Sequence, residues 1–308
     1  MSEMKATRVA YGETLVELGA VNKDVVVLDA DLSNATQTNK FSAVYPDRFI
    51  NCGIAEADLM AIGAGLSAVG KIPFCSTFAV FGTGRAFEII RNSIGYPHLN
   101  VKIACTHGGV TVGEDGASHQ SFEDVALMRE IPGMTVICPS DATEARQAVF
   151  AAAEMNGPVY LRFAREKSSV LPEHPFEIGK AVVLKEGTDA VIFVSGFPVA
   201  AALEAAEKME ADGKDIAVVD VHTIKPIDKE TILKYALQTK NVITIEDHSV
   251  IGGLGSAVAE VLCGVDKFKF TRIGLQDTYG TSGKARDVLE YFGLTAGKIE
   301  QSVLETFG

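Results

Sequence analysis

The chain contains no tryptophan, and aromatic residues make up only 7% of it, although 47% is hydrophobic. That combination excludes a disordered chain and fits Ala/Val/Ile-rich α/β layers better than a β-sandwich. Positive charge is short as well. Lys and Arg number 28 against 40 Asp and Glu, a net charge of −12, which excludes a nucleic-acid surface and means that any anionic ligand needs locally gathered basic residues. The five cysteines (Cys52, Cys75, Cys105, Cys138, Cys263) lie far apart, form no C-x-x-C pair and are odd in number, so they read as buried thiols of a reducing cytosol. Long apolar runs are missing too. The longest without charge, Leu59 to Gly70, falls short of the roughly 20 residues that cross a bilayer, and the opening MSEMKATRVAYGETL holds no signal core. No membrane insertion is expected, and the expected location is cytoplasmic. His107 and His119 lack compact metal-ligand spacing, and no metal ligands are assigned to this chain.

At 308 residues the chain suits two domains of roughly 100–200 residues each. Short β-branched runs, DVVVLDA (24–30), KIPFCST (71–77), NVKIACT (100–106), MTVICPS (134–140) and GPVYLRFA (157–164), alternate with helical patterns over 4–19, 55–68, 82–94 and 142–155. Runs apolar on both faces are what a parallel sheet covered by helices requires. PSDATEARQAVFAAAE opens a helix with an Asp141 cap and Glu144 three residues on. The rhythm breaks at REKSSVLPEHPFEIGK (165–180), and a second set follows: DAVIFVS, KDIAVVD, NVITIED and KFTRIG. The expected fold class is therefore α/β, two consecutive domains with mostly parallel sheets: residues 1–167, a linker over 168–185, and residues 186–308. GGLGSAVAE (252–260) invites a dinucleotide reading, but Val258 stands at the third glycine position, and a tight strand-to-helix turn explains it better.

Four stretches place polar residues where buried strands end: DADLSN (29–34), GIAEAD (53–58), STFAVF (76–81) and THGGVTVGEDGASHQ (106–120). In a parallel sheet all four loops share one edge, with Asp29 and Asp31 in reach of a crevice. Each has an ordinary alternative. Phe78 and Phe81 could be core, Glu56 could be a first-turn glutamate favoured by the helix dipole, and Arg8 and Arg165 could be surface ion pairs. The long glycine-rich loop bearing His107, Glu114, Asp115 and His119 is harder to read as packing.

Together with KATRVAYGETL, GPVYLRFAR, EDHSVIGGLGSAV and GTSGKARDVLEYFG, these stretches resemble the transketolase family over nearly the whole chain: its pyrimidine-binding domain followed by its carboxyl-terminal domain. The resemblance implies thiamine diphosphate as cofactor. It matches Glu56 to the glutamate that hydrogen-bonds the aminopyrimidine and shifts it to the imino tautomer that deprotonates the thiazolium; a partly desolvated carboxyl can share a proton with such a weak base. Phe78 and Phe81 match the aromatic wall against the pyrimidine. His119 matches a contact to the reacting hydroxyl or carbonyl, Asp115 one to a substrate hydroxyl, and Asp31 a place beside cofactor and sugar. Arg8, His107 and Arg165 match positions that hold the sugar phosphate.

Three positions depart from the family's pattern. Gly84 stands where a third aromatic is usual, Gly108 replaces an aspartate, and Ala35 replaces a serine. The GDG motif with its following asparagine, which holds Mg²⁺ and the diphosphate, does not occur. A split enzyme is expected: an amino-terminal transketolase subunit supplies the metal and diphosphate half, giving an α₂β₂ assembly acting on sugar phosphates. The small-residue side of the Glu56 helix (Ala57, Ala61, Ala64, Gly65, Ala68) permits close helix approach and suits either a two-fold contact or packing against its own sheet. The rival readings are a 1-deoxyxylulose-5-phosphate synthase-like protein, a 2-oxoacid dehydrogenase β subunit, and a noncatalytic regulatory or scaffold subunit.

Overall fold

The computed structural model describes residues 3–307. The expected runs become strands because their residues are buried on both faces: all of Val25–Asp29, Lys102–Cys105 and Val159–Arg162 is sequestered. A seven-stranded sheet runs in the order Thr223–Lys225, Thr135–Ile137, Val159–Arg162, Lys102–Cys105, Ile72–Ser76, Val25–Asp29, Phe49–Asn51. All neighbours are parallel except Thr223–Lys225, which pairs antiparallel at the edge. A five-stranded sheet follows in the order Lys269–Leu275, Asn241–Ser249, Ala190–Ser195, Ile216–Asp220, Val182–Lys185, the last strand antiparallel. The architecture is the expected pair of α/β units, and the edge strand lent by the second half to the first sheet ties them together.

Several local expectations need correcting. The first helix starts at Thr7, because Met4–Ala6 pairs antiparallel with Lys167–Ser169. Segment 82–94 is not one plain α-helix: π-helical stretches Val80–Arg85 and Ile90–Gly95 flank the short turn Phe87–Ile89. Gly82 accommodates this by close packing, since a Cβ there would lie 2.6 Å from Cys105 Sγ. Asp29 does not face a crevice. It is buried, accepting from Leu32 N at 2.6 Å, Thr36 Oγ1 at 2.7 Å and Thr38 Oγ1 at 2.9 Å, and so shapes the loop after its strand. Cys263, read as buried, is exposed, whereas Cys75, Cys105 and Cys138 are buried. Asp141 caps its helix as expected, accepting from Glu144 N at 2.8 Å. Among the described residues no helix is long and apolar enough to cross a membrane.

The glycines of GGLGS serve a turn. The helix Leu254–Leu262 begins there, and the buried Glu246 carboxylate accepts from Leu254 N at 2.7 Å and Gly255 N at 2.9 Å. The helix N-terminus that would receive a phosphate in a dinucleotide fold is thus filled by the chain's own anion, and a Cβ at Gly253 would lie 1.9 Å from Glu246 Oε2.

The two halves are also joined at Arg162. Its Nε donates to Asp124 Oδ2 at 2.7 Å, and its Nη2 donates to Ser121 O at 3.2 Å and to Asp247 O at 2.8 Å. Tyr160 adds a hydrogen bond to the same carboxylate at 2.5 Å. With side-chain exposures of 7% and 0%, the Arg162–Asp124 pair is a buried one, and removing one partner strands the other charge. Replacing Arg162 by leucine is expected to destabilise the chain by roughly 3–5 kcal/mol, read as a lowered urea midpoint; a shift below about 1 kcal/mol, typical of surface pairs, would refute this assignment.

Candidate active site

The loops after Val25–Asp29, Phe49–Asn51, Ile72–Ser76, Lys102–Cys105 and Val159–Arg162 leave the carboxyl edge of the first sheet together, because these strands are parallel. Glu56 opens the helix Glu56–Ala68 on one of them. Its side chain is only 2% exposed, and Oε2 accepts from Arg85 Nη1 at 2.8 Å. The next loop carries Phe78 and Phe81, whose rings lie nearly parallel with centroids 6.0 Å apart. His107 covers one face of Phe78 at 3.8 Å, and His119 meets Phe81 edge-on at 5.3 Å. Four predicted residues therefore form one aromatic cluster, linked to Glu56 through Arg85, whose guanidinium carbon stands 5.1 Å from the Phe81 ring centre.

The glycine-rich loop is held from both domains. Gly109, at φ +80°, lies against Asp247 so closely that a Cβ would fall 1.9 Å from its Oδ2. Asp247 Oδ1 accepts the next N–H, that of Val110, at 2.9 Å. Gln120 Nε2 donates to Val110 O at 3.1 Å and to Thr281 O at 2.9 Å, and Gly116 backs onto Ser282. The buried ends of the loop thus rest on the second domain, while Glu114 and Asp115 at its crest are exposed.

Arg8 and Arg165 flank the same edge. Arg8 donates to Arg165 O at 3.2 Å and to Ala35 O at 2.7 Å, and Arg165 donates to Val112 O and pairs with Glu114 at 3.7 Å. Burial, with the adjacent Arg165 charge, lowers the Arg8 pKa from its ordinary value. His107 is buried, its Nδ1 lying 2.8 Å from Thr106 Oγ1. Burial, reinforced by Arg8 and Arg165, pulls its pKa down to about 3, so the imidazole is neutral at ordinary pH.

Two predicted residues stand apart. Asp31 is exposed at φ +64° and exchanges hydrogen bonds with Asn51, accepting from Nδ2 at 3.0 Å and donating its N–H to Oδ1 at 3.1 Å. Among the described residues neither Asp31 nor Asp115 hydrogen-bonds to the aromatic cluster. Sequence reasoning missed Arg85 and Asp247, whose partners lie 29 and 137 residues away. The departures acquire causes: a Cβ at Gly108 would sit 2.7 Å from Arg162 Nε, whereas one at Gly84 meets nothing within 4 Å. Gly108 is thus required by the buried arginine, and Gly84 leaves room at the cluster's margin.

For thiamine diphosphate, the residues present fit the ring half: a buried carboxylate, Glu56, and a partly exposed phenylalanine, Phe81, bridged by Arg85. Among the described residues no three His, Cys, Asp or Glu side chains converge as metal ligands.

An α/β chain whose first sheet gathers a buried glutamate, an aromatic pair and a two-histidine glycine-rich loop at one edge, with a second domain gripping that loop, presents a candidate ligand site at the carboxyl edge of a parallel sheet. Residues 3–169 match the family profile of the transketolase pyrimidine-binding domain, and residues 179–299 that of the transketolase C-terminal domain. The chain belongs to the transketolase family. A Methanocaldococcus jannaschii protein assigned as a transketolase C-terminal section is 48% identical over 307 residues, covering 98% of this chain and 96% of its own. The 6-deoxy-6-sulfo-D-fructose transketolase subunit SqwH of Clostridium sp. (strain MSTE9) is 40% identical over 300 residues, covering 97% and 93%. Mouse transketolase is 38% identical over 304 residues, but this chain spans only 48% of its length. A solved split-gene transketolase, described as an inactive β4 tetramer, superposes with a TM-score of 0.89 at 52% identity, covering 98% of both chains.

The Asp247 contact yields a pH signature. Burial pushes its carboxyl up to about 6, against the opposing pull of Arg162 and the Val110 N–H. A carboxyl raised on folding favours the folded state at low pH, and that contribution is lost as pH rises through the folded value. Replacing Asp247 by asparagine is therefore expected to shift relative stability in the variant's favour by roughly 1.5 kcal/mol between about pH 5 and about pH 7.5. Urea midpoints of both chains across that range measure it; a constant difference would contradict ionisation of a buried Asp247.

Proposed function

We propose that this chain is the carboxyl-terminal subunit of a split transketolase, transferring a two-carbon ketol unit between sugar phosphates with thiamine diphosphate. The observation that carries the reading is Glu56, 2% exposed and joined through Arg85 to the Phe81 ring at the carboxyl edge of a parallel sheet. Bound thiamine diphosphate supplies the electron sink for the reaction. In this reading Glu56 holds the aminopyrimidine ring nitrogen through a proton shared with its carboxyl, and Phe78 and Phe81 keep water from the ring. His119 contacts the reacting hydroxyl or carbonyl, Asp115 a substrate hydroxyl, and Asp31 the side shared by cofactor and sugar.

The phosphate falls to Arg8, Arg165 and His107. The guanidinia carry the charge, while the neutral His107, its Nδ1 engaged by Thr106, offers Nε2–H as a donor. That basic pair favours an anion-bearing sugar over a bare 2-oxoacid. Two guanidinia also accept a sulfonate, and the likeness to SqwH makes a sulfonated ketose the second substrate class to test.

A separate amino-terminal subunit holds Mg²⁺ and the diphosphate in this reading, which the likeness to a solved split-gene transketolase supports. An α₂β₂ assembly has an available contact. Ala57, Ala61, Gly65 and Ala68 are exposed on the Glu56 helix, whereas Ala64 is buried against the chain's own core.

The chain and its partner, mixed with Mg²⁺ and thiamine diphosphate, are expected to convert xylulose 5-phosphate and ribose 5-phosphate into ketol-transfer products, resolved by chromatography. Glu56→Gln in that pair should lower kcat/KM by at least about 100-fold. Full activity of this chain alone would overturn the split reading. Absence of ketol transfer with both phosphorylated and sulfonated ketoses would favour a noncatalytic subunit, and a full rate in the Glu56→Gln pair would remove Glu56 from the chemistry.

A further inference from the structure

Arg85 ends the π-helical stretch Val80–Arg85. Side chains four residues apart share one side of a helical turn, and its guanidinium reaches both the Phe81 ring, at 5.1 Å, and Glu56 Oε2, at 2.8 Å. Among the described residues Glu56 is its only hydrogen-bond partner. The Arg85 side chain is 55% exposed, and the neighbouring Gly84 leaves open space, a Cβ there meeting nothing within 4 Å. Arg85 is thus held by two contacts and otherwise free to turn outward.

Those two contacts are the ones that the functional reading gives to the coenzyme's ring. The likeness is chemical. A guanidinium and a 4-aminopyrimidine are both flat, both meet a carboxyl group in their own plane, the one through N–H donors and the other through a proton shared at the ring nitrogen, and both stack on an aromatic face. The side chain of Glu56 is 2% exposed, and the ion pair occupies its Oε2. An ion pair needs the carboxylate as an anion facing the guanidinium, and proton sharing with a ring nitrogen needs the same group turned to a different neighbour.

We propose that Arg85 competes with the aminopyrimidine for Glu56 and Phe81, so that seating the ring requires the guanidinium to swing past Gly84 into solvent. The inference rests on the reading that Glu56 receives the pyrimidine. It makes Arg85 a determinant of coenzyme affinity, with no part in the ketol chemistry itself.

Isothermal titration of thiamine diphosphate into the chain–partner complex with Mg²⁺ tests it. Arg85→Met, which keeps the stem and removes the charge, is expected to tighten binding about tenfold, the share of one charge-assisted hydrogen bond. Arg85→Gln should tighten it less. In a Glu56→Gln background the Arg85→Met change should shrink to about twofold or less, because the ion pair is already gone. Unchanged or weaker binding in both Arg85 variants, while the unsubstituted complex binds, would overturn the competition and leave the functional reading standing. No binding by the unsubstituted complex would remove that reading and this inference with it. Melting temperatures confirm that each variant is folded; if Arg85→Met does not fold, Arg85→Gln alone decides.

Discussion

The loop on which the site depends is held by a buried arginine. Arg162 ends a strand of the first sheet, neutralises Asp124 and donates to carbonyls of Ser121 and Asp247, so it joins the glycine-rich loop's exit to the second domain. A charge so enclosed persists only when each of its donors finds a partner, and those partners dictate the neighbouring residues. Gly108 is small because Arg162 occupies its side-chain space, and Gly109 is small because Asp247 does. Two loop glycines are thus consequences of one ion pair and the strand that supports it. The second domain, which brings none of the predicted site residues, fixes where those of the loop stand.

Electrostatics divides the labour at the sheet edge. The chain is acidic overall, yet Arg165 is near enough to lower the pKa of the half-buried Arg8, and both arginines lower that of His107. A neutral His107 under the proposed phosphate site is a hydrogen-bond donor whose strength does not change across ordinary pH, whereas both arginines remain cationic. Specificity between phosphate and sulfonate would then lie in hydrogen-bond count and shape, because the charge of the pair attracts either.

The fold was legible wherever burial covers both faces of a strand. Val25–Asp29, Ile72–Ser76 and Ala190–Ser195 declare themselves by β-branched content, and the parallel arrangement then places the loops on one edge. Three-residue strands such as Phe49–Asn51 and Thr223–Lys225 carry no period and exist only through their neighbours. The π-helical stretches were hidden for a related reason: apolar spacing over 82–94 does not separate a turn of 3.6 residues from a wider one. Glu56, Phe78, Phe81, His107 and His119 are candidates because they lie in stretches that follow buried strands, and the resemblance to the transketolase family supplies their expected roles. Arg85 and Asp247 act through partners distant in sequence, and an exposed arginine or a strand-end aspartate offers no local signal of that.

Gly84 and Arg85 are better understood together than singly. With a bulky aromatic at position 84 the margin beside Phe81 would be walled, and an arginine next to it would have less room to leave. Glycine removes that wall, and the adjacent Arg85 guanidinium stands over the Phe81 ring. An aromatic wall is permanent and stabilises the ring by dispersion, whereas an arginine cover is reversible and carries a charge that must be re-solvated whenever it moves. On the proposed reading, this chain exchanges constant enclosure of the pyrimidine for an opening governed by one ion pair, and the enclosure that remains must come from Phe78, Phe81 and the surface of the partner subunit.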